Sequence, residues 1–396
     1  MADKAYLEYQ KTLIAQLKQQ DGLLDKTLEA AFMAVPRHVF LPKEPLERAY
    51  SDDAIAIKQD TDGTVLSSSS QPSMMALMLR QLRLRKGDNV LEIGAGTGYN
   101  AAIMQYIVGE RGNITSIELD PQLAQQAVAN LQKVSLGAVV DIVNADGAQG
   151  YAPRASYDRI IATAALWDVP TAWVRQLKDD GILVAPIWVE SMQVSAAFVL
   201  QPDGSLYSRH NLPCGFIPLR GMAAGPNLIR HVVGSTLTLS SIYAKQIDGA
   251  ALNTLLSDDA EINNLSVSLT SGEFWRGFLP YLTLNTPDGY QFFMYSVTEG
   301  QNDYGLEDSG FGLLSRGSAC FVRYGGKGLA QCFGSADAFL AMDETLRAWD
   351  KAKQPNADRL RLQLLPKGTG DAVAIERPNA KIYRRQFNDL LAWLEV

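Results

Sequence analysis

Asn89-Val90-Leu91-Glu92-Ile93-Gly94-Ala95-Gly96-Thr97-Gly98-Tyr99-Asn100 begins as a short apolar run and turns, at Gly94, into glycines at every second position. It continues into Ala101-Ala102-Ile103-Met104-Gln105-Tyr106-Ile107, which predicts a helix. A strand, a glycine turn and a helix make a loop that cradles a nucleotide, because glycine accepts positive φ and lets a ligand approach the backbone. The Gly-x-Gly-x-Gly spacing differs from the Gly-x-Gly-x-x-Gly of a dinucleotide site, whose third glycine allows close helix–strand packing.

Downstream, residues 112–120 predict a second strand ending in Glu118, about twenty residues past the glycine turn, where a carboxylate accepts hydrogen bonds from both hydroxyls of a ribose. Residues 139–147 predict a third strand with Asp146 just past its end, a position suited to an adenine amino group. Residues 157–163 predict the central strand, where reacting groups meet. Upstream lie an amphipathic helix over 5–18, a helix over 26–33 that Asp25 caps and Val35-Pro36 ends, and a turn or hairpin at 60–66. Four serines, Ser67 to Ser70, then lead through Gln71 to Pro72 and a buried helix ending at Leu82.

Helices over 121–131 and 170–177, a strand over 182–187 and a hairpin around Pro202-Asp203-Gly204 complete an α/β fold. The predicted class is a Rossmann-like, doubly wound, mostly parallel sheet with an antiparallel edge, followed by a second α+β domain. The expected boundaries are 1–85 for an N-terminal helical and substrate-loop region, 86–225 for the nucleotide-binding core and 226–396 for the second domain. In the last part, strands are expected at 290–297, 312–323, 328–333, 359–365 and 372–376, and helices at 336–352 and 384–394. The aromatic cluster Phe274, Trp275, Phe278 and Tyr281 fits a domain core better than a peptide site.

Lysine and arginine total 36 against 43 acidic residues, a formal charge of -7, which argues against nucleic acid or an anionic membrane as the main partner. Cys214, Cys320 and Cys332 are too few and too scattered for a disulfide scaffold or a four-cysteine zinc site. His38, in a loop that ends a helix, reads as structural, and His210 and His231 lack neighbouring ligand residues, so no metal is expected. Residues 1–6 lack the apolar core of a signal peptide, and no apolar stretch is long enough to span a membrane; a cytoplasmic protein is expected.

Several further motifs, in order, resemble the protein-L-isoaspartate O-methyltransferases, a family of class I S-adenosylmethionine-dependent enzymes. They are Val35-Pro36-Arg37 with Phe40, Ala49-Tyr50 with Asp53, Ser70-Gln71-Pro72, the glycine motif, Asp146-Gly147, Tyr157-Asp158-Arg159-Ile160, Thr163-Ala164-Ala165 and Phe216-Ile217-Pro218-Leu219. The resemblance runs from about Leu13 to Gly221 and leaves a long C-terminal extension. It implies methylation of an isoaspartyl carboxylate in a peptide or protein.

By that resemblance Glu92, Gly94, Gly96, Gly98, Glu118, Leu119, Asp146 and Gly147 bind S-adenosylmethionine. Ser70 matches the serine beside the transferring methyl, with Ser69 in a preceding position that is usually apolar. Asp53, Ser70, Gln71, Thr163, Ala164 and Ala165 fall on the substrate side. Ser70 equally suits a cap for the helix that begins at Pro72. The segment 57–69 is longer and richer in serine than the family pattern, and the extension after Gly221 is a second departure. The first weakens the substrate assignment, and the second suits an enzyme dedicated to one peptide, including a ribosomal natural-product precursor whose aspartyl ester closes to an aspartimide. General isoaspartate repair, and a non-catalytic binding module on the same fold, are the alternatives.

Overall fold

The computed structural model describes residues 5–20, 25–61, 63–134, 140–326, 328–377 and 379–395. Residues 1–4, Asp62 of the predicted turn and Val139 of the predicted third strand lie outside them. After two helices, Ala5–Gln19 and Lys26–Ala34, the predicted hairpin forms from β1 (Ile55–Gln59) and β2 (Val65–Ser69), paired antiparallel with Ile55 opposite Ser69.

The main sheet starts with β3 (Asn89–Ile93), β4 (Asn113–Glu118), β5 (Val140–Asn144), β6 (Tyr157–Ala162) and β7 (Leu177–Val189). These five are parallel in the order β5-β4-β3-β6-β7. The chain winds outward from β3 and returns to β6, so the strand order reverses between them. That reversal opens a crevice at their carboxyl ends, where ligands bind in such sheets. Alternate residues of the inner strands feed two cores: Leu91, Ile93 and Ile160 face one, and Val90 and Ile161 the other. Both faces are therefore covered, as a doubly wound sheet requires.

β8 (Met192–Leu200) and β9 (Leu206–Cys214) add the predicted antiparallel edge. A second, entirely antiparallel sheet follows, built from β10 (Ile229–His231), β11 (Thr238–Ser240), β12 (Glu261–Asn264), β13 (Gln291–Ser296), β14 (Ser309–Ser315), β15 (Ser318–Arg323) and β16 (Leu329–Gly334). The single strand expected over 312–323 is a hairpin, broken at Gly317, whose φ of +83° suits the turn.

The chain then returns to the first sheet. β17 (Leu360–Pro366) pairs with β9, β19 (Asn388–Leu394) with β17, and β18 (Lys381–Arg384) with β19. The main sheet thus has ten strands, half of them in its antiparallel part, and residues 226–396 are shared between both sheets. Two local expectations are corrected here. Gly370–Glu376 is a helix, not a strand, and the helix expected at 384–394 is β19. Leu390 and Ala392 face the main core while Leu391 and Trp393 face another, so β19 is buried on both sides. A short, continuous apolar run of that kind has no period that separates strand from helix.

Between the two sheets lie the helical segment from Ser271 to Leu284 and the helix Asp337–Lys351. Phe274, Phe278 and Leu282 recur at four-residue spacing and pack, with Trp349, into the core that contains Ile187 and Val194 of the first sheet and Phe311 and Leu313 of the second. The aromatic cluster is therefore mainly core, as its composition suggested. A capping box between Thr270 and Glu273 starts this segment.

Candidate active site

The floor of the crevice is the glycine turn. Gly94 and Ala95 both donate to the Ile117 carbonyl at 2.8 and 3.0 Å, which ties the turn to β4. Gly94 has φ +99°, and a Cβ on it would stand 2.6 Å from the Thr163 hydroxyl oxygen, so glycine is needed for conformation and space alike. Thr163, at the end of β6, donates to the Gly94 carbonyl at 2.7 Å and bridges the two central strands. Gly98, with φ +85°, opens the helix Tyr99–Val108.

Glu118 is 6% exposed and accepts from the amides of Gly96 at 2.9 Å and Asp120 at 3.0 Å. One amide engages each carboxylate oxygen, which leaves further lone pairs on a rigidly held group. Behind the turn, Glu92 is fully buried and accepts from the Ser116 hydroxyl at 2.5 Å and the Asn100 amide at 2.7 Å. Burial pushes its carboxyl up to about 7, against the two hydrogen bonds, and neighbouring Glu118 adds to the rise.

The roof is the serine hairpin. Two adjoining cavities, of about 450 and 690 Å³, lie between it and the floor, and both are lined by Ser68, Gly94, Gly96, Thr163 and Phe216. The smaller adds Ser69, Ser70, Tyr99 and Asn100; the larger adds Glu118, Leu119, Gly147 and Ala164. The predicted residues Ser69, Ser70, Gly94, Gly96, Glu118, Leu119, Gly147, Thr163 and Ala164 are thereby brought together.

The other predicted residues stand behind this surface. Glu92 reaches it only through Asn100. Asp146 accepts from Ala148 N at 2.9 Å and Met222 N at 2.7 Å, and so holds the segment after Arg220 against the site. Asp53 is exposed, and its carbonyl accepts from Arg37 at 3.2 Å. Gln71 donates to Asp52 at 3.4 Å. Ala165 exchanges 2.8 Å backbone hydrogen bonds with Ile217 and Leu219 and lines a neighbouring groove.

The hairpin is fastened from outside. Arg37, 0% exposed, donates to the carbonyls of Ser51, Asp53 and Ser70 at 3.0, 3.2 and 3.1 Å. Lys58 of β1 pairs with Asp120 at the end of β4. Burial works to raise the Asp120 carboxyl, but the Lys58 ammonium and the Leu123 and Gln122 amides hold it below its ordinary value. The helix Pro72–Leu82 is served by Asp52, which accepts from Ser73 N at 2.8 Å, and Gln71 at its start makes no side-chain cap. Ser70 is therefore not the cap of this helix, and it lines the smaller cavity.

Sequence reasoning assigned no role to Phe216, Pro218 or Leu219, which wall the larger cavity, although their run was noted. Asn100 was visible as the second residue of the helix after the glycines, yet nothing local links it to Glu92. His38 packs on Tyr6 and contacts the Tyr50 hydroxyl at 2.8 Å, away from the cavities. Among the described residues no cluster of His, Cys, Asp and Glu is arranged to hold a metal, and no helix is long and apolar enough to cross a membrane. All three cysteines are free thiols.

The model of the protein-L-isoaspartate(D-aspartate) O-methyltransferase family matches residues 8–224, more than half of the chain. The chain belongs to that family. It is similar to the protein-L-isoaspartate O-methyltransferases of Methanopyrus kandleri, at 36% identity over 55% of this chain and 94% of the relative, and Ignicoccus hospitalis, at 38% over 54% and 97%. A solved structure of a protein-L-isoaspartate O-methyltransferase aligns over 89% of this chain and 96% of its own, with a TM-score of 0.52 and 26% identity. That alignment extends well past the family-matched region, so the C-terminal extension is not a departure peculiar to this chain.

The protein is an S-adenosylmethionine-dependent carboxyl O-methyltransferase. The adjoining cavities, the side-chain-free approach at Gly94 and Gly96 and the held carboxylate of Glu118 fit the amino-acid, sulfonium and adenosine parts of that cofactor. When bound, it supplies a methyl group on a positive sulfonium that is electrophilic without further activation. The chain's own residues have to align an acceptor oxygen with that methyl and keep competing water away.

Proposed function

We propose that the acceptor is the misplaced carboxylate of an isoaspartyl residue in a damaged protein, and that the enzyme acts in repair. What carries this reading is the serine-lined cavity beside the glycine turn, where the Ser70 hydroxyl can hold one carboxylate oxygen while the other meets the methyl. A carboxylate is already ionised near neutral pH, so no general base is required. A weak hydroxyl contact orients the nucleophile, whereas a cation would blunt it. Glu118 would take the ribose hydroxyls, and Gly94, Gly96 and Asn100 the amino-acid end of the cofactor. Leu119, Gly147 and Ala164 would enclose the adenine region, with Asp146 holding the loop beside it.

Repair is preferred to a dedicated precursor because the long tail, the main ground for a special substrate, has a counterpart in a solved structure that carries the isoaspartate name. A cofactor-loaded sample given an isoaspartyl peptide and its aspartyl twin is expected to methylate only the first. Labelling of the aspartyl peptide at an equal rate would overturn the reading.

A further inference from the structure

A groove of about 1410 Å³ opens next to the cofactor cavities. It shares Phe216 and Pro218 with the larger of them, and Ala165 lines it immediately after Ala164 of the cofactor cavity. One wall carries Trp167, from the loop after β6, and Trp188 of β7, and another Trp275 and Tyr324. Its floor is the second sheet. Along β13 Phe293 and Tyr295 enter the core on the far side, so Met294 and Ser296 face the groove, as do their partners Ser240 and Thr238 on β11.

Further across the same face, Phe311, Leu313 and Val322 are covered by the helical segment that contains Phe274 and Phe278. Half of this face is therefore packed, and the other half is left open with short polar and flexible side chains. The Tyr324 hydroxyl is buried with no hydrogen-bond partner among the described residues.

The two tryptophans are held in place. Arg385 donates to the carbonyls of Trp167 and Trp188, and its guanidinium lies 4.5 Å from the Trp167 ring centre. Asp168 accepts from Asn388 N at 3.1 Å and from its side-chain amide at 2.7 Å. The returning C-terminal strands thus fix the groove wall directly after the Thr163-Ala164-Ala165 turn.

We infer that this groove binds the residues flanking the acceptor in an extended, unfolded protein segment, and takes an aromatic side chain next to the isoaspartyl residue. The continuity with the methyl-transfer site supplies the location. Fixed aromatic walls supply a pocket for an aromatic ring, and the Thr238, Ser240 and Ser296 hydroxyls supply partners for an exposed peptide backbone. Segments with apolar side chains free to enter such a groove are unfolded ones, which suits damaged protein. The inference rests on the isoaspartyl reading above.

The test compares kcat/KM for isoaspartyl peptides that carry Trp or Gly beside the acceptor, with wild type and with Ser240→Trp, which fills the open floor. Wild type is expected to favour the Trp peptide about tenfold, mainly through KM, as a single apolar pocket allows. S240W is expected to bring the ratio near one while binding S-adenosylhomocysteine as wild type does; Ser296→Trp serves if S240W fails to bind it. Equal use of both peptides by wild type, or an unchanged preference in a variant that binds S-adenosylhomocysteine, would overturn the groove and leave the isoaspartyl reading standing. Failure of the loaded enzyme to methylate either peptide would overturn both.

Discussion

The floor and the roof of the cofactor site are built on different principles. The floor is backbone: glycines with positive φ, amides tied to Ile117 and a carboxylate pinned by Gly96 and Asp120, all between two buried strands. The roof is a two-stranded hairpin, mostly half-exposed, held by a buried arginine and one ion pair at its edge. On the proposed reading, the floor would select the cofactor and the roof would set where an acceptor meets it.

The contrast breaks most severely at Arg37. Arg37→Ala removes a buried donor from three carbonyls, and is expected to cost about 3 kcal/mol or more in a denaturant unfolding curve. Methyl transfer should fall further than cofactor affinity, because the Ser70 segment loses its anchor. An equal loss of both would mean that roof and floor are one unit.

The next largest effect concerns the floor and depends on pH. Glu92 has its carboxyl raised from 4.5 to about 7, so between those values the unfolded chain releases a proton that the folded protein keeps. Stability should therefore decline as pH rises through that window, and the cost is complete above it. Glu92→Gln removes a cost on the order of 3 kcal/mol, and should raise Tm at pH 8 while changing little near pH 4. A uniform shift at both pH values would show that folding does not raise the Glu92 carboxyl.

Glu118→Ala should weaken S-adenosylhomocysteine binding by about 1.5–3 kcal/mol in calorimetry, through lost charged hydrogen bonds to the ribose. An unaltered Kd would remove Glu118 from the site. The smallest effect is expected at the roof's edge. Lys58→Ala breaks a partly exposed pair with Asp120 and should cost under ~1 kcal/mol of stability. A much larger loss would mean that the hairpin depends on this pair and not on Arg37.

The same contrast explains what the sequence disclosed. The floor is written locally: glycine spacing, an apolar run and a carboxylate one strand further on are all functions of short separations. The α/β sheet, its winding and most cavity-lining residues on the floor follow from these. The roof and the wall depend on partners far apart in the chain. Arg37 reaches Ser70 across 33 residues, Lys58 reaches Asp120 across 62, and Arg385 reaches Trp167 across 218. No local pattern marks such pairs. β19 went unrecognised for a related reason, since burial on both faces erases the alternation that identifies a strand.

The most direct test of the account follows methyl-ester formation by mass spectrometry in an isoaspartyl peptide and its aspartyl twin, with wild type and Ser70→Ala loaded with S-adenosylmethionine. The account predicts esterification of the isoaspartyl peptide alone, slowed in Ser70→Ala with cofactor affinity unchanged. Esterification of both peptides at the same rate, or of neither by wild type with cofactor bound, would contradict it.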